Sequence, residues 1–429
     1  MGNNVKFRQS SRLSFLSVLI LTGLIKVGII SSLYAQPGQI HLSLADKKSA
    51  RVTAPVIVTW GSDNASGNQY VKYGLKENRM KAVKARKSAL SGSFVFNASL
   101  KNLKYGAVYF YRCGSEQDGW SPVYMFNTGP DSGAFRVAII GDTQNNTNNE
   151  TFGKTKIITD LVREYSPSFT LHMGDIVNNG SIPDDWKEFL TVTQELNAIS
   201  PLMPVLGNHD VQNTKGDDFQ KPFQEFHTLF NLPGDEVNYS FTYQNVRFIG
   251  IFSGCAQAAS ETGQVKYKPG SPEYKWLDAE LSAAEKDKRI RWTIIWMHYP
   301  VYSVGWSNIS EWKENVLPLF EKHRVDLCLA GHRHIYERHF PLKNGIPVRN
   351  ESGPTFTSPD GTIYITNGTA GGNPTGPGGK DQPEMAFTPD SIMYSFGIMD
   401  INNKSITYRV YNQDNILIDK FILNKDLGK

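Results

Sequence analysis

Cysteine is scarce in this sequence, and its scarcity excludes several kinds of site. Three cysteines occur in 429 residues, at Cys113, Cys255 and Cys328, and no two are spaced as Cys-x-x-Cys. Neither a thiolate zinc site nor a disulfide framework is predicted, and at most one disulfide bridge can form. The thiols are expected to be buried and to behave as small apolar side chains.

Acidic residues are absent from the first 35 positions. Three basic residues there precede an apolar run over residues 13–33, and the small residue Ala35 follows it. This is the layout of a secretory signal peptide, so we predict an exported protein, secreted or periplasmic, with cleavage near Ala35. The alternative is an uncleaved anchor helix, because the run is about long enough to span a bilayer, although Lys26 interrupts it. A membrane is expected as a partner only in that case.

Net charge is also lacking once this segment is set aside. The segment carries four of the 45 basic residues, which leaves 41 bases against 41 acids. A neutral mature protein gives no reason to expect a nucleic-acid partner, although a local basic patch is not excluded.

Length and pattern predict two domains. Over residues 36–130, short strand-like runs alternate with Gly, Asn and Asp clusters and show no helical periodicity, which is typical of a β-sandwich. Over residues 133–424, strands alternate with helices before antiparallel strands end the chain, which predicts an α/β core. Residues 371–383 are rich in Gly and Pro and are predicted to form a surface loop.

Five apolar runs of the second domain end in similar polar motifs. They are Gly141-Asp142, Gly174-Asp175, Gly207-Asn208-His209-Asp210, Met297-His298 and Gly331-His332-Arg333-His334. Each motif alone is a common turn or helix cap. Loops at the carboxyl ends of strands in an open α/β sheet converge on one crevice, however, so five successive motifs predict one site. Oxygen and imidazole donors without thiolate suit zinc, iron or manganese, and one carboxylate can bridge two ions.

The sequence resembles the calcineurin-like metallophosphoesterases and, within them, the purple acid phosphatases. The resemblance rests on the five motifs, on Tyr336-Glu337-Arg338 after the last of them, and on residues 364–372; it covers nearly the whole mature chain. It implies an N-terminal fibronectin type III-like β-sandwich followed by a four-layer α/β/β/α metallophosphoesterase core. Its implied activity is hydrolysis of small phosphomonoesters by in-line attack of a metal-activated water. A phosphodiesterase or nucleotidase on the same core, or a non-catalytic surface binding protein, are the alternatives.

The resemblance also assigns roles to individual residues. One metal ion is expected between Asp142, Asp175 and His334, and the other between Asp175, Asn208, His298 and His332. Asp175 would bridge the two ions. His209 is expected to act on the phosphoryl oxygens and the leaving group, and Asp210 to orient His209 or to shape its loop.

Two departures from the family pattern affect the first metal position. Asn178 stands where the purple enzymes have a tyrosine ligand, and Gln144 stands where many other members have a histidine. Either amide oxygen is a possible neutral ligand, which suits a divalent ion better than a ferric one. We therefore predict a colourless enzyme with two divalent ions. Substrate contacts are expected from Tyr302, Arg338 and His339, and Trp306 and Asn308 are expected at the mouth of the pocket.

Overall fold

The structure is a computed structural model of the chain. It describes residues 37–45, 53–63, 67–90, 92–145, 152–211, 221–254, 267–304, 310–348, 353–376 and 382–426. The predicted signal segment, Cys255, Trp306 and Asn308 lie outside the described residues. Within them, no helix is both long enough and apolar enough to cross a membrane. Cys113 and Cys328 are buried free thiols, as predicted.

The first domain is a sandwich of two antiparallel sheets. Its strands are β1 (Gly38–Leu44), β2 (Val56–Ser62), β3 (Tyr70–Lys76), β4 (Arg79–Lys84), β5 (Arg86–Leu90), β6 (Ser93–Leu100), β7 (Val108–Ser115), β8 (Gly119–Trp120) and β9 (Tyr124–Asn127). One sheet has the order β1-β2-β6-β5, and the other has the order β4-β3-β7-β8 with β9 also paired to β7. Tyr109, Tyr111 and Cys113 alternate inward along β7, which is how two facing sheets build a shared core.

The sandwich packs directly on the second domain. The hydroxyl of Tyr111 donates to the carbonyl of Ala198 at 2.7 Å, and the hydroxyl of Ser43 donates to the carbonyl of Asn231 at 2.9 Å. Apolar side chains of both domains belong to one continuous cluster. The contact is therefore a packed interface and not a flexible tether.

The second domain stacks two seven-stranded sheets between helical layers. Its strands are β10 (Phe135–Ile140), β11 (Phe169–His172), β12 (Leu202–Pro204), β13 (Tyr239–Tyr243), β14 (Val246–Ile251), β15 (Trp292–Met297), β16 (Leu327–Ala330), β17 (Tyr336–His339), β18 (Leu342–Lys343), β19 (Ile346–Pro347), β20 (Thr355–Thr357), β21 (Ile363–Asn367), β22 (Met385–Phe387), β23 (Ser395–Ile401), β24 (Ser405–Asn412) and β25 (Leu417–Asn424). The sheet orders are β12-β11-β10-β23-β24-β25-β20 and β13-β14-β15-β16-β21-β17-β22, and β18 pairs with β19.

Helices cover the outer faces of both sheets. They are α1 (Gly153–Glu164), α2 (Pro183–Val192), α3 (Gln194–Asn197), α4 (Lys221–Leu229), α5 (Pro272–Lys286), α6 (Ser310–Asn315) and α7 (Leu317–Lys322). Ile158 of α1 packs with Ile140 of the first sheet, whereas Leu277 of α5 packs with Ile295 of the second. Aromatic rings fill the space between the sheets. The predicted four-layer α/β/β/α architecture is therefore confirmed.

Parallel strands position the site. In the first sheet β10, β11 and β12 run parallel, and in the second β14, β15, β16 and β21 do. The polar residues that follow β10, β11, β12, β15 and β16 belong to the five motifs and come into contact with one another. The core therefore brings residues almost 200 positions apart to one crevice.

Candidate metal centre

Four donor atoms converge from loops after four different strands. The side-chain oxygen Oδ1 of Asn208 lies 3.0 Å from Nε2 of His298 and 3.0 Å from Nδ1 of His332. Those two ring nitrogens are 3.2 Å apart, and Oδ2 of Asp175 lies 3.2 Å from Nε2 of His298. We call Asp175, Asn208, His298 and His332 the ligand cage. Atoms about 2.1 Å from one ion and at right angles to each other are about 3 Å apart, so these separations fit ligands of a common ion.

The charges of the ligand cage also call for a cation. Burial opposes the charged form of His298, but the adjacent Asp175 carboxylate outweighs burial and raises the pKa of His298 to about 9. Burial and the positive charge of His298 lower the pKa of His332 to about 3. The buried Asp175 carboxylate thus favours a positive charge beside it, which either a proton on His298 or a metal ion can supply. Metal binding has to displace that proton.

A second group of donors adjoins the ligand cage. Nε2 of His334 lies 3.5 Å from Oδ1 of Asp142. The Gln144 amide nitrogen lies 3.2 Å from His334 Nε2 and 3.4 Å from Asp175 Oδ2. The Gln144 amide oxygen is buried and has no partner among the described residues. A half-turn of this amide exchanges its nitrogen and oxygen, so Gln144 can present its oxygen to an ion beside Asp142, Asp175 and His334.

Backbone carbonyls fix the orientation of three histidines at the site. Nδ1 of His298 donates to the carbonyl of Met173 at 2.9 Å, and Nδ1 of His334 donates to that of Asn373 at 2.9 Å. Nδ1 of His209 donates to the carbonyl of Asn178 at 2.8 Å. In each ring this leaves Nε2 without a proton of its own in the neutral form, which is the tautomer needed for metal ligation or proton transfer. Asn178, predicted as a ligand through its amide, thus contributes its backbone carbonyl to His209.

Three donors of the site have a strained backbone. Asp142, Asp175 and His332 have φ angles of 55°, 51° and 67°. Residues with a side chain avoid this left-handed region, and each such residue costs on the order of 1 kcal/mol or more. Three strained residues among the donors of one site are typical of a functional centre.

Glycines make room for the two carboxylates. A Cβ atom on Gly207 would lie 2.2 Å from Oδ1 of Asp175, and one on Gly331 would lie 2.3 Å from Oδ2 of Asp142. Gly368, on the loop after β21, would bring a Cβ atom within 2.6 Å of the same Asp142 oxygen. Any larger residue at these positions must displace a carboxylate.

Gly368→Ala should therefore impair the site without adding or removing a charge. The new methyl group pushes on Asp142 and on the backbone carbonyl of Arg333, which lies between the donors His332 and His334. We therefore expect metal content and phosphatase activity to fall about tenfold or more, as for other changes next to ligands. Gly376→Ala is the matched control, because a Cβ atom there meets nothing within 4 Å. Metal analysis and initial rates on both variants test this, and equal behaviour of the two would contradict the steric argument.

Asp210 shapes the loop of His209, which is the second of its two expected roles. Its carboxylate oxygens accept from the backbone N–H groups of Ile176, Val177 and Gly207 at 2.8, 3.1 and 2.8 Å. It is fully buried. Asp210 therefore ties the loops after β11 and β12 together and is a positioning residue rather than a group that touches the reacting atoms.

Two expected substrate contacts are also corrected. Arg338 forms a buried ion pair with Asp419 on β25, with its Nε 2.7 Å from Oδ2. Side chains alternate along β17, so Arg338 shares with Tyr336 the face that meets Asp419. His339 is only 1% exposed and packs near the ring of Tyr302. Tyr302 itself is half-buried, and its substrate contact stays a prediction.

The fold and this site together define the class of protein: a metallophosphoesterase, a hydrolase of phosphoric ester bonds. Residues 135–336 match the family model described as calcineurin-like phosphoesterase, and residues 37–128 match that of the purple acid phosphatase N-terminal domain. Residues 135–336 thus form a calcineurin-like metallophosphoesterase domain, which follows a purple acid phosphatase N-terminal domain, and the chain is purple acid phosphatase-like. The family uses a dinuclear metal site.

Individual proteins of known name are similar to this chain in sequence or in fold. The chain is 28% identical over 351 residues to purple acid phosphatase 18 of Arabidopsis thaliana, which covers 78% of this chain and 71% of that protein. It is 24% identical over 421 residues to a phosphoenolpyruvate phosphatase of Allium cepa, which covers 90% and 81%. Its fold is similar to that of purple acid phosphatase PPD1 from yellow lupin, with a TM-score of 0.78, 18% identity, and coverage of 92% and 75% of the two chains.

Proposed function

We propose that this chain is an exported phosphatase that hydrolyses phosphomonoesters at a site holding two divalent metal ions. The observation that carries the proposal is the ligand cage with Asp142, Gln144 and His334 beside it. Asp175 lies within reach of donors on both sides, since its Oδ2 is 3.2 Å from His298 and 3.4 Å from Gln144. The donors are oxygens and imidazole nitrogens, a set that suits zinc, manganese or ferrous iron.

A bound pair of ions would supply Lewis acidity to the phosphoryl group and to an attacking water. Residues of the chain would supply the proton transfer to the leaving group. The Asp175 carboxylate accepts from the backbone N–H of His209 at 2.8 Å, and the Asn178 carbonyl holds Nδ1 of the same ring at 2.8 Å. These two contacts hold His209 beside the ligand cage with Nε2 free of the backbone, so that the imidazolium form can donate a proton from Nε2 to a leaving alkoxide.

The identity of residue 178 leads us to expect that the iron-loaded protein is colourless. A ferric-phenolate band requires a tyrosine ligand at the first metal position, and Asn178 cannot provide one. Iron-loaded protein should therefore show no strong visible charge-transfer band. Asn178→Tyr is the informative counterpart, since a visible band that appears only in this variant supports the argument. A strong band in the wild-type protein would contradict it.

The preference for monoesters is tested by comparing two substrates with one leaving group. We expect kcat/KM to be higher for 4-nitrophenyl phosphate than for bis(4-nitrophenyl) phosphate, since the relatives are similar over most of the chain and are named as phosphatases. Initial rates of metal-loaded wild-type protein measure this. A clear diester preference would identify a phosphodiesterase on the same core, and no activity on either ester would favour a binding protein.

Export rests on residues 1–35, which have a basic start, an apolar run and a small residue at the exit. The amino-terminal sequence of the protein recovered outside the cytoplasm tests it. Cleavage near Ala35 is expected, whereas an intact amino terminus in a membrane fraction would favour the anchor.

A further inference from the structure

The two domains of the neutral mature chain carry opposite net charges. Residues 37–128 contain 13 bases and 5 acids, which gives a formal charge of +8. Residues 129–429 contain 28 bases and 36 acids, which gives −8. The sandwich domain therefore attracts anions that the catalytic domain as a whole repels.

The positive charge is concentrated along one edge of the sandwich. Strand β4 is the last strand of one sheet and β5 the last strand of the other, and Ala85 alone separates them. Residues 79–87, which we call the basic ribbon, carry five bases and no acid. All five are exposed; they are Arg79, Lys81, Lys84, Arg86 and Lys87.

Within the part of the chain that the structure describes, this ribbon has few acidic partners. Among the described residues, no acidic side chain forms an ion pair with Arg79, Lys81, Lys84 or Arg86. Lys81 lies over the ring of Tyr73, and Lys87 lies over that of Phe94, with Nζ 4.7 and 3.5 Å from the ring centroids. Charges on an edge strand, lysine above all, also deter strand pairing between molecules, but that purpose does not require five bases without a single acid in nine residues. The uniform sign is what points to an anionic partner.

The shape of the ribbon selects among anionic partners. Extended backbone advances about 3.3 Å per residue, so the charges follow a line and do not converge on a pocket for one anion. The ribbon contains no aromatic residue, although proteins that bind single-stranded nucleic acid stack bases on aromatic rings. Its larger apolar residues, Met80 and Val83, are half-buried, so it lacks the exposed apolar anchors of a membrane-surface site.

We infer that the basic ribbon is a docking site for a linear phosphate polymer without bases, that is, inorganic polyphosphate. Such a chain presents a negative charge at every unit and can lie along the two edge strands. Affinity arises from the sum of several exposed ion pairs and should therefore decline steeply with salt. The inference does not depend on the proposed monoesterase activity, because the ribbon contains no residue of the metal centre.

The test is a titration of metal-loaded protein with long-chain polyphosphate at several salt concentrations, with excess inorganic phosphate present to occupy the metal centre. Wild type is compared with the triple variant Lys81→Gln, Lys84→Gln, Arg86→Gln. We expect the variant to bind about tenfold or more weakly at 0.1 M salt, with a slope of log K against log salt that is shallower by about two to three. Turnover of a small phosphomonoester should be unchanged.

Two further variants make the result specific. Lys275→Gln, Lys286→Gln, Lys288→Gln removes the same charge from exposed positions of the catalytic domain and should change affinity less than about twofold. Lys81→Arg, Lys84→Arg, Arg86→Lys keeps the charge and should bind like wild type. Absence of wild-type binding, or equal losses in the two glutamine variants, would overturn the inference. Tighter binding of single-stranded DNA or of anionic-lipid vesicles than of polyphosphate would assign the ribbon to that partner instead.

Discussion

Asp175→Asn is expected to lower turnover by about a thousandfold or more, because bound metal contributes several kcal/mol to the transition state. Asp175 is buried, and its carboxylate adjoins His298, Gln144 and the backbone of His209. The substitution keeps the shape of the side chain but removes the one negative charge that we propose both metal positions share. Metal content should fall at both positions, whereas Asn208→Ala should weaken chiefly the ligand cage. Metal analysis and initial rates measure both effects.

Asp184→Asn is the matched control. Asp184 is exposed in the first turn of α2 and contacts no residue of the ligand cage. Its substitution should leave metal content and turnover within about twofold of wild type, and its effect on stability should be a few tenths of a kcal/mol. If Asp175→Asn kept its metals and lost less than tenfold in rate, Asp175 would not be the shared ligand.

His209→Ala should lower kcat by about 10²- to 10⁴-fold, the range that general acid catalysis contributes, while metal content stays as in wild type. The His209 ring donates to the Asn178 carbonyl, and the backbone N–H of His209 donates to the Asp175 carboxylate. The His209 ring is not part of the ligand cage. A proton donor matters most when the leaving group is basic. The loss should therefore be larger for an alkyl phosphate than for 4-nitrophenyl phosphate.

His227→Ala supplies the comparison for His209→Ala. His227 is an exposed residue of α4 whose Nδ1 lies 2.7 Å from a carboxylate oxygen of Glu236. Such a surface pair contributes on the order of 1 kcal/mol or less to stability, and kcat should not change measurably. Equal losses on both substrates in His209→Ala, or a loss of metal, would show that His209 has a structural role and is not the acid.

Much of the fold could be predicted from sequence because its strands are strongly patterned. The sequence predicts strands over residues 135–140 and 395–401, and the strands Phe135–Ile140 and Ser395–Ile401 have those bounds. The edge strands β4 and β5 are not evident from sequence, since three of six and two of five of their residues are charged and only one face meets the core. The sequence also predicts one helix around residues 311–323, whereas the structure has two, α6 and α7. Pro318 lacks a backbone N–H and lies in the first turn of α7, where a new helix tolerates it.

The donors of the site could be anticipated, but their supports could not. Each ligand motif follows an apolar run, so it marks a strand end locally. The contacts of Asn373 with His334 and of Gly368 with Asp142 join residues far apart in sequence. Residue 373 falls in the stretch predicted as a surface loop, and the start of that stretch in fact packs on the site. The glycines before Asn373, at positions 368, 371 and 372, are the sequence signal for this packing, because close approach of the backbone to a site requires glycine.

The central claim is that this chain holds two divalent ions at one site and hydrolyses phosphate esters with them. Metal content of the active wild-type protein, measured by mass spectrometry together with the rate on a phosphomonoester during stepwise metal reloading, tests it most directly. We expect two equivalents per chain, with full activity reached only at the second. Full activity with one equivalent or none would contradict it.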